Sequence, residues 1–245
     1  MKTISKLIIT LMFFAAATVT NAQFKAGFRV GGNLSNIITD DEDFKEIRDE
    51  KIGFHGGIIA EYMFSSSLGI QTAILYSEKG SKITFEEDEG DIEEGHYNYK
   101  VFATPKLGYL EMPLHAVFKL PLGTASRLTI SAGPYIAYGV TEAIKVNYTL
   151  KTTGNIEADT KTEMKGYLDE MTKNLQAVAD EYFVLFKEDG VLTPFDFGAG
   201  MAVGYELHKF EAKVGMDMGL KNIYRETEEM SLKNRNIYLS VGFKF

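Results

Sequence analysis

The chain has 245 residues, 45% of them apolar, with a formal charge of −8; that is long enough to bury a sizeable core and too acidic for nucleic acid to be an expected partner. It contains no cysteine, which excludes a disulfide framework, a lipid-attachment cysteine and any thiolate metal site. No Pro/Ser-rich linker interrupts it, so residues 23–245 read as one domain.

At the N-terminus, Lys2 and Lys6 precede an apolar run from Leu7 to Val19, and small residues at Thr20 and Ala22 lead to Gln23. The run is 13 residues long, short of the roughly 20 that a spanning helix needs. Residues 1–22 therefore read as a secretory signal peptide cut before Gln23. Its removal leaves 24 basic residues against 34 acidic ones, a charge of −10. Nothing downstream is apolar for long enough to form a membrane helix, so any membrane crossing must use strands.

From Phe24 onward the apolar period is two. The last segment shows it best: Ile237, Leu239, Val241, Phe243 and Phe245 alternate with Asn236, Tyr238, Ser240, Gly242 and Lys244. Eight such segments occur, near residues 24–34, 52–64, 68–79, 108–120, 127–140, 195–207, 210–221 and 235–245, each close to the roughly 9–11 residues of a tilted transmembrane strand. The connections at 65–67, 121–126 and 208–209 are short and the other four are long. An even strand number with tight turns at one end and long loops at the other predicts an eight-stranded antiparallel transmembrane β-barrel, with short turns and both termini on the periplasmic side.

A soluble calyx would alternate too, but its outer face would be solvated. Here the non-greasy face is crowded with glycines such as Gly31, Gly57, Gly133, Gly200 and Gly215, interspersed with charged residues, which suits a narrow lumen better than a wet wall. Three details fit less well. Pro113 and Pro134 fall inside strands and predict bulges or shifted boundaries. Leu75 falls on the lumen face. With no Trp, an interfacial girdle must come from residues such as Tyr62, Phe64, Tyr109, Tyr138, Tyr205 and Tyr238.

Several local motifs occur together: Asn-Ala-Gln at positions 21–23, Gly31-Gly32-Asn33-Leu34-Ser35 in the first strand, Tyr109-Leu110-Glu111-Met112-Pro113-Leu114 in the fourth, and the closing stretch Arg235 to Phe245. As a set they resemble the PorT-like outer-membrane β-barrel family of Bacteroidetes, with its "G.n.s" opening, central "YLEiPl" and terminal "R...y.vglgykF". The resemblance covers nearly the whole chain after Gln23 and implies an outer-membrane location. One family member is linked to gliding motility and secretion, a role that is not carried over. The alternating last strand with Tyr238, Phe243 and a terminal Phe245 also resembles the signal that barrel assembly machinery reads.

The strongest candidate site is the lumen set Arg29, Glu61, Glu111, His115, Glu206 and Asp217, because ionisable groups at membrane depth are costly and often functional. Paired acids and bases that merely fill the lumen explain the same set without a substrate. His55 and His115 lack a spacing that would place two metal ligands on one face. His96, beside Asp91 and Glu94 in the second long loop, is the residue on which a hydrolase or acyltransferase reading would rest. The acidic runs Asp40–Asp43 and Glu86–Glu94 are expected to be solvated loops; divalent binding there, bridging to lipopolysaccharide phosphate, is a weaker reading because no Asp-x-Asp-x-Asp-Gly loop is present.

In the third long connection the period becomes helical over about residues 159–187, with Met164, Tyr167, Leu168, Met171, Leu175, Val178, Tyr182 and Leu185 on one stripe. Such a helix must bury that stripe, and packing over the barrel mouth is expected. The sequence thus points to a non-enzymatic outer-membrane barrel serving as a structural or interaction platform, with no catalytic residue, cofactor or metal implied. Its expected contacts are outer-membrane lipid and lipopolysaccharide, the assembly machinery, and a protein partner at the external loops. An outer-membrane hydrolase or acyltransferase and a narrow pore are the alternatives.

Overall fold

The computed structural model describes residues 23–92, 95–182, 185–187, 190–225 and 230–245. The expected signal peptide, together with Glu93 and Glu94, lies outside them. In chain order the elements are β1 (Phe24–Thr39), α1 (Glu42–Ile47), β2 (Arg48–Asp49), β3 (Lys51–Met63), β4 (Leu68–Lys79), β5 (Lys82–Ile92), β6 (Gly95–Pro121), β7 (Ser126–Gly154), α2 (Ala158–Tyr182), β8 (Phe195–Leu207), β9 (Phe210–Gly219) and β10 (Leu232–Lys244).

Eight of the strands form a closed antiparallel ring, β1-β3-β4-β6-β7-β8-β9-β10, sealed where β1 pairs with β10 from Gly27↔Lys244 to Thr39↔Leu232. The seam continues to the last residue, whose backbone N–H donates to the Ala26 carbonyl at 2.8 Å. Closure leaves the ring with no free edge.

The period-two pattern sorts the side chains as the sequence predicts. Phe28, Val30, Ile58, Ile74, Leu114, Ile130, Met201, Val203, Val214, Leu239 and Val241 are exposed on the outside, while Arg29, Glu61, Lys119, Asp196, Glu206, Lys213 and Lys244 are buried within. Placing charge inside and hydrocarbon outside is unfavourable in water and favourable in a bilayer. Near the short-turn end, Phe28, Phe210, Phe243 and Phe245 form one outward aromatic patch, with Phe210 and Phe243 at 5.1 Å and Phe28 and Phe243 at 5.7 Å. Tyr62, Phe64, Tyr138 and Tyr205 also face outward, but Tyr109 and Tyr238 turn into the lumen and belong to no girdle.

Pro113 and Pro134 produce neither a bulge nor a shifted boundary. The ladder instead skips two pairs beside Pro113 on the β4 side and two opposite Pro134 on the β6–β7 side, and resumes in the same register. The Thr72 hydroxyl donates to the Pro113 carbonyl at 2.8 Å, replacing part of what the ladder loses. The one bulge in β6–β7 sits at Gly108/Tyr109.

The largest departure from expectation is above the ring. Residues 82–92, 95–107 and 141–154, expected as loops, are strand: β5 pairs antiparallel with β6, and β6 pairs with β7 up to Gly95↔Gly154. The acidic run is accordingly strand from Glu86 to Asp91, while Asp41 caps α1 by accepting from the Phe44 N–H at 2.7 Å. The segment of β7 beyond the ring corresponds to roughly 45 Å of strand at about 3.3 Å per residue. The three strands form a flap projecting from the long-loop end.

Candidate functional site

The lumen residues singled out from the sequence all point inward and are buried, but they occupy two levels rather than one cluster. Toward the short-turn end lies an ion-pair plug. The Glu61 carboxylate accepts from Lys119 Nζ at 2.6 Å, Lys244 Nζ at 2.8 Å and Gln71 Nε2 at 3.1 Å. Glu206 accepts from the same two lysines at 2.6 and 2.9 Å, and from Lys25 and Arg127 at the rim at 3.4 and 3.2 Å. Glu211 is held by Arg29 at 3.2 Å, Lys244 at 3.3 Å and Lys213 at 3.5 Å. Gln71 Oε1 accepts from Arg29 and Lys213 at 2.7 and 2.9 Å. Buried charges are tolerable only when paired and hydrogen-bonded, and here three carboxylates face four buried cations.

The level above is built differently. Glu111, His115 and Asp217 gather around a small cavity that is also lined by Arg29, His55, Leu75, Ser77, Asn236 and Tyr238. Beyond it Lys79 pairs with Glu111 at 2.5 Å, and Asp196 accepts from Tyr135 Oη at 3.2 Å and Asn234 Nδ2 at 3.0 Å. Three buried carboxylates at this level thus share one lysine. Glycine makes the level possible: a Cβ at Gly31 would collide with the His55 ring, and one at Gly200 with the Asp217 carboxylate. Leu75 faces this cavity, as its slipped position in the pattern predicts.

The outer mouth is closed by an apolar cap. Ile37, Leu107, Tyr109, Tyr135, Ala137 and Leu232 from the wall pack with Leu185 and Leu192 from the third long connection and Ile223 from the fourth. Phe186 meets Tyr109 edge-on at 5.3 Å. The Glu142 carboxylate secures the descending segment, accepting from the N–H groups of Leu185 and Phe186 at 3.1 and 2.5 Å.

The amphipathic helix forms where expected, but it ends at Tyr182, and the mouth is closed by the segment that follows it. α2 packs on the flap instead. Leu168 and Ala179 are buried, whereas Tyr167 and Val178, assigned to the apolar stripe from the sequence, are exposed; the Tyr182 side chain lies outside the described residues. Above Tyr138 the edge of β7 has no strand neighbour on the β8 side among the described residues. There Gln176 takes the place of one: its Oε1 accepts from the Val146 N–H and its Nε2 donates to the Ile144 carbonyl, both at 2.9 Å. Tyr148 Oη donates to Asp169 at 2.9 Å, and that bond raises the phenol pKa. Stacked Tyr97 and Tyr99, with ring centroids 6.4 Å apart, lie on the flap near its hairpin. Burial and the Glu86 carboxylate raise the Tyr99 phenol pKa.

His96 Nδ1 lies 3.2 Å from Asp91 Oδ1 across the β5–β6 hairpin. Both are exposed, and among the described residues no hydroxyl is hydrogen-bonded to this histidine. Nor is any group of three or more His, Asp or Glu among the described residues arranged to hold a metal ion.

The closed ring, the hydrocarbon exterior and the charge-filled interior define the class: an eight-stranded transmembrane barrel of outer-membrane type. The model of the family described as outer membrane protein beta-barrel domain matches residues 17–225. The chain belongs to that family, and the protein resides in the outer membrane. Similar solved structures include Ail, the attachment invasion locus protein of Yersinia pestis, at 11% identity with a TM-score of 0.38, covering 91% of this chain and 99% of that one. The outer membrane enzyme PagL is 9% identical with a TM-score of 0.38 over 89% of this chain and 98% of its own. Neisserial surface protein A is 9% identical with a TM-score of 0.34 over 91% and 97%. No curated protein matches the chain in sequence.

Proposed function

We propose that the protein is a non-enzymatic interaction platform of the outer membrane, in which a filled and sealed barrel anchors the β5–β6–β7 flap and α2 as a contact surface. The observation that carries this reading is the flap itself: a sheet raised clear of the ring, braced by a 25-residue helix, with Phe85 and Tyr167 exposed and, beyond Val146, no strand neighbour among the described residues on the outer edge of β7. Such an edge offers main-chain donors and acceptors to a partner strand. The lumen, plugged at one end and capped at the other, supports no conductive role. The finer assignment to the PorT-like barrels of Bacteroidetes, export through a signal peptide, and recognition of Phe243 and Phe245 by assembly machinery belong to this reading and rest on the motifs and termini of the sequence.

The test is site-specific photo-crosslinking in intact cells, with the probe at Lys151 on the flap edge and, for comparison, at Val203 on the barrel wall. A discrete protein adduct is expected from Lys151 and lipid adducts alone from Val203; no protein adduct from Lys151 would count against the platform. The Asp91–His96 pair carries the competing hydrolytic reading. Turnover of purified lipid A or peptide that is abolished by His96→Ala would replace the platform with an enzyme.

A further inference from the structure

We infer that the mid-lumen cavity between His55, His115, Glu111, Asp217 and Asn236 is a built site for an ordered water molecule, held where the ion-pair plug ends. The argument starts from hydrogen-bond capacity. Asn33 Nδ2 donates to the Phe54 carbonyl, Ser77 Oγ and the Glu78 carbonyl, which fixes the orientation of its amide. Its Oδ1, an acceptor only, lies 2.6 Å from His55 Nδ1. His55 must therefore carry its proton on Nδ1, so in the neutral ring Nε2 presents a lone pair. That Nε2 is buried and has no partner among the described residues; His115 Nε2 and Asn236 Oδ1 are in the same condition.

His55 is 5% exposed and His115 6%, so neither nitrogen reaches bulk solvent. A buried polar atom without a partner is costly, and here several border one space. What His55 Nε2 and Asn236 Oδ1 lack is a donor, because Arg29, the cation lining the cavity, donates to Gln71 and Glu211. Asn236 Oδ1 is bare, and Lys79 is engaged with Glu111. The ligand must therefore supply two hydrogens and be very small. The cavity offers about 20 Å³ to the centre of a water molecule, where one water needs roughly 10–15 Å³ and two to four polar partners. Water donating to His55 Nε2 and to Asn236 Oδ1 or a neighbouring carboxylate meets both conditions, and nothing larger does.

The site would also explain why the barrel tolerates a level with three carboxylates and one lysine. The water supplies donors that the side chains lack, and Gly31 and Gly200 keep the space open.

The experiment is water–protein NMR on the full barrel in detergent micelles with ¹⁵N-labelled histidine, at neutral pH. The expected result is a long-lived water cross-peak to the His55 and His115 ring protons, with His55 Nε2 unprotonated and accepting a hydrogen bond. Leu75→Phe, which pushes a larger ring into the same space, should abolish the His55 cross-peak while the heat-modifiable gel mobility of the barrel is kept. A bare Nε2 without a cross-peak in the wild type would overturn the inference, because the cavity would be dry. So would a His55 protonated on both nitrogens, since the missing donor would then be on the ring. Persistence of the cross-peak in a folded Leu75→Phe barrel would place the water elsewhere and equally overturn it. The wild-type spectrum decides alone if that variant does not fold.

Discussion

The two levels of the lumen are made from the same residue types and reach opposite solutions. In the level nearer the short turns, Glu61, Glu206 and Glu211 are each gripped by at least two cations within 3.5 Å. In the level above, Glu111, Asp196 and Asp217 depend on one lysine, on neutral donors and on a cavity. A carboxylate whose neighbours are all cations is committed to its charge and its geometry. One that leans on Tyr and Asn is held by weaker and more replaceable bonds. The plug is thus the rigid part of the interior and the level above it the adjustable part.

This difference is sharpest under mutation. Glu206→Leu leaves Lys119 and Lys244 facing a side chain that cannot accept, and removing one partner of a buried ion network costs about 3–5 kcal/mol. A large drop in the temperature of the heat-modifiable gel shift is expected. Asp196→Asn keeps an acceptor for Tyr135 and Asn234 and should cost only about 1 kcal/mol, a small change by the same measurement. Equal losses from the two variants would remove the distinction between the levels.

The comparison extends to the flap, which lies outside the membrane and should fail independently of the barrel. Gln176→Leu removes both bonds to the β7 edge, with an expected local loss of about 1 kcal/mol. Faster amide exchange at Val146, with the barrel melting temperature unchanged, is the expected signature.

The smallest effect concerns the clasp between the first and fourth long connections, where Asp40 accepts from the Ser231 N–H at 2.8 Å. That bond lowers the Asp40 pKa below its ordinary 3.8. Because the folded value is the lower one, the clasp is fully present above the ordinary value and is lost as pH falls through the folded one. The protection of the Ser231 amide, taken relative to the intrinsic exchange rate at each pH, should therefore be unchanged from pH 7 to 5 and fall only below about pH 4.

The ring was legible because a bilayer on one side and charges on the other impose a strict period of two, and strands such as β8 (Phe195–Leu207) and β9 (Phe210–Gly219) carry it without a break. The flap was missed for two different reasons. In β5 the residues Glu86 to Glu89 are acidic and disfavour strand. In β7 the signal was present: Ile144, Val146, Tyr148 and Leu150 alternate with Lys145, Asn147, Thr149 and Lys151. Membrane thickness sets the strand length expected there, and it says nothing about how far a strand continues above it.

The lumen set was legible residue by residue, since inward positions follow from the period. Its division into two levels was not, because which residues share a height depends on the stagger between strands. Arg29, for instance, meets Glu211, 182 positions away in the chain. The helix was found from its own period, but its partner was not, because Gln176, which fastens it to β7, is a polar residue outside the apolar stripe.

The most direct test of a sealed barrel carrying an external flap is protease treatment of intact cells, followed by mapping of the cuts and gel analysis before and after boiling. Cuts confined to residues 40–50, 80–106, 141–194 and 220–231, in a barrel that stays compact until boiled, are the result this account predicts. Cutting within residues 64–67 or 121–126, or collapse of the unboiled compact form once the flap is nicked, would contradict it.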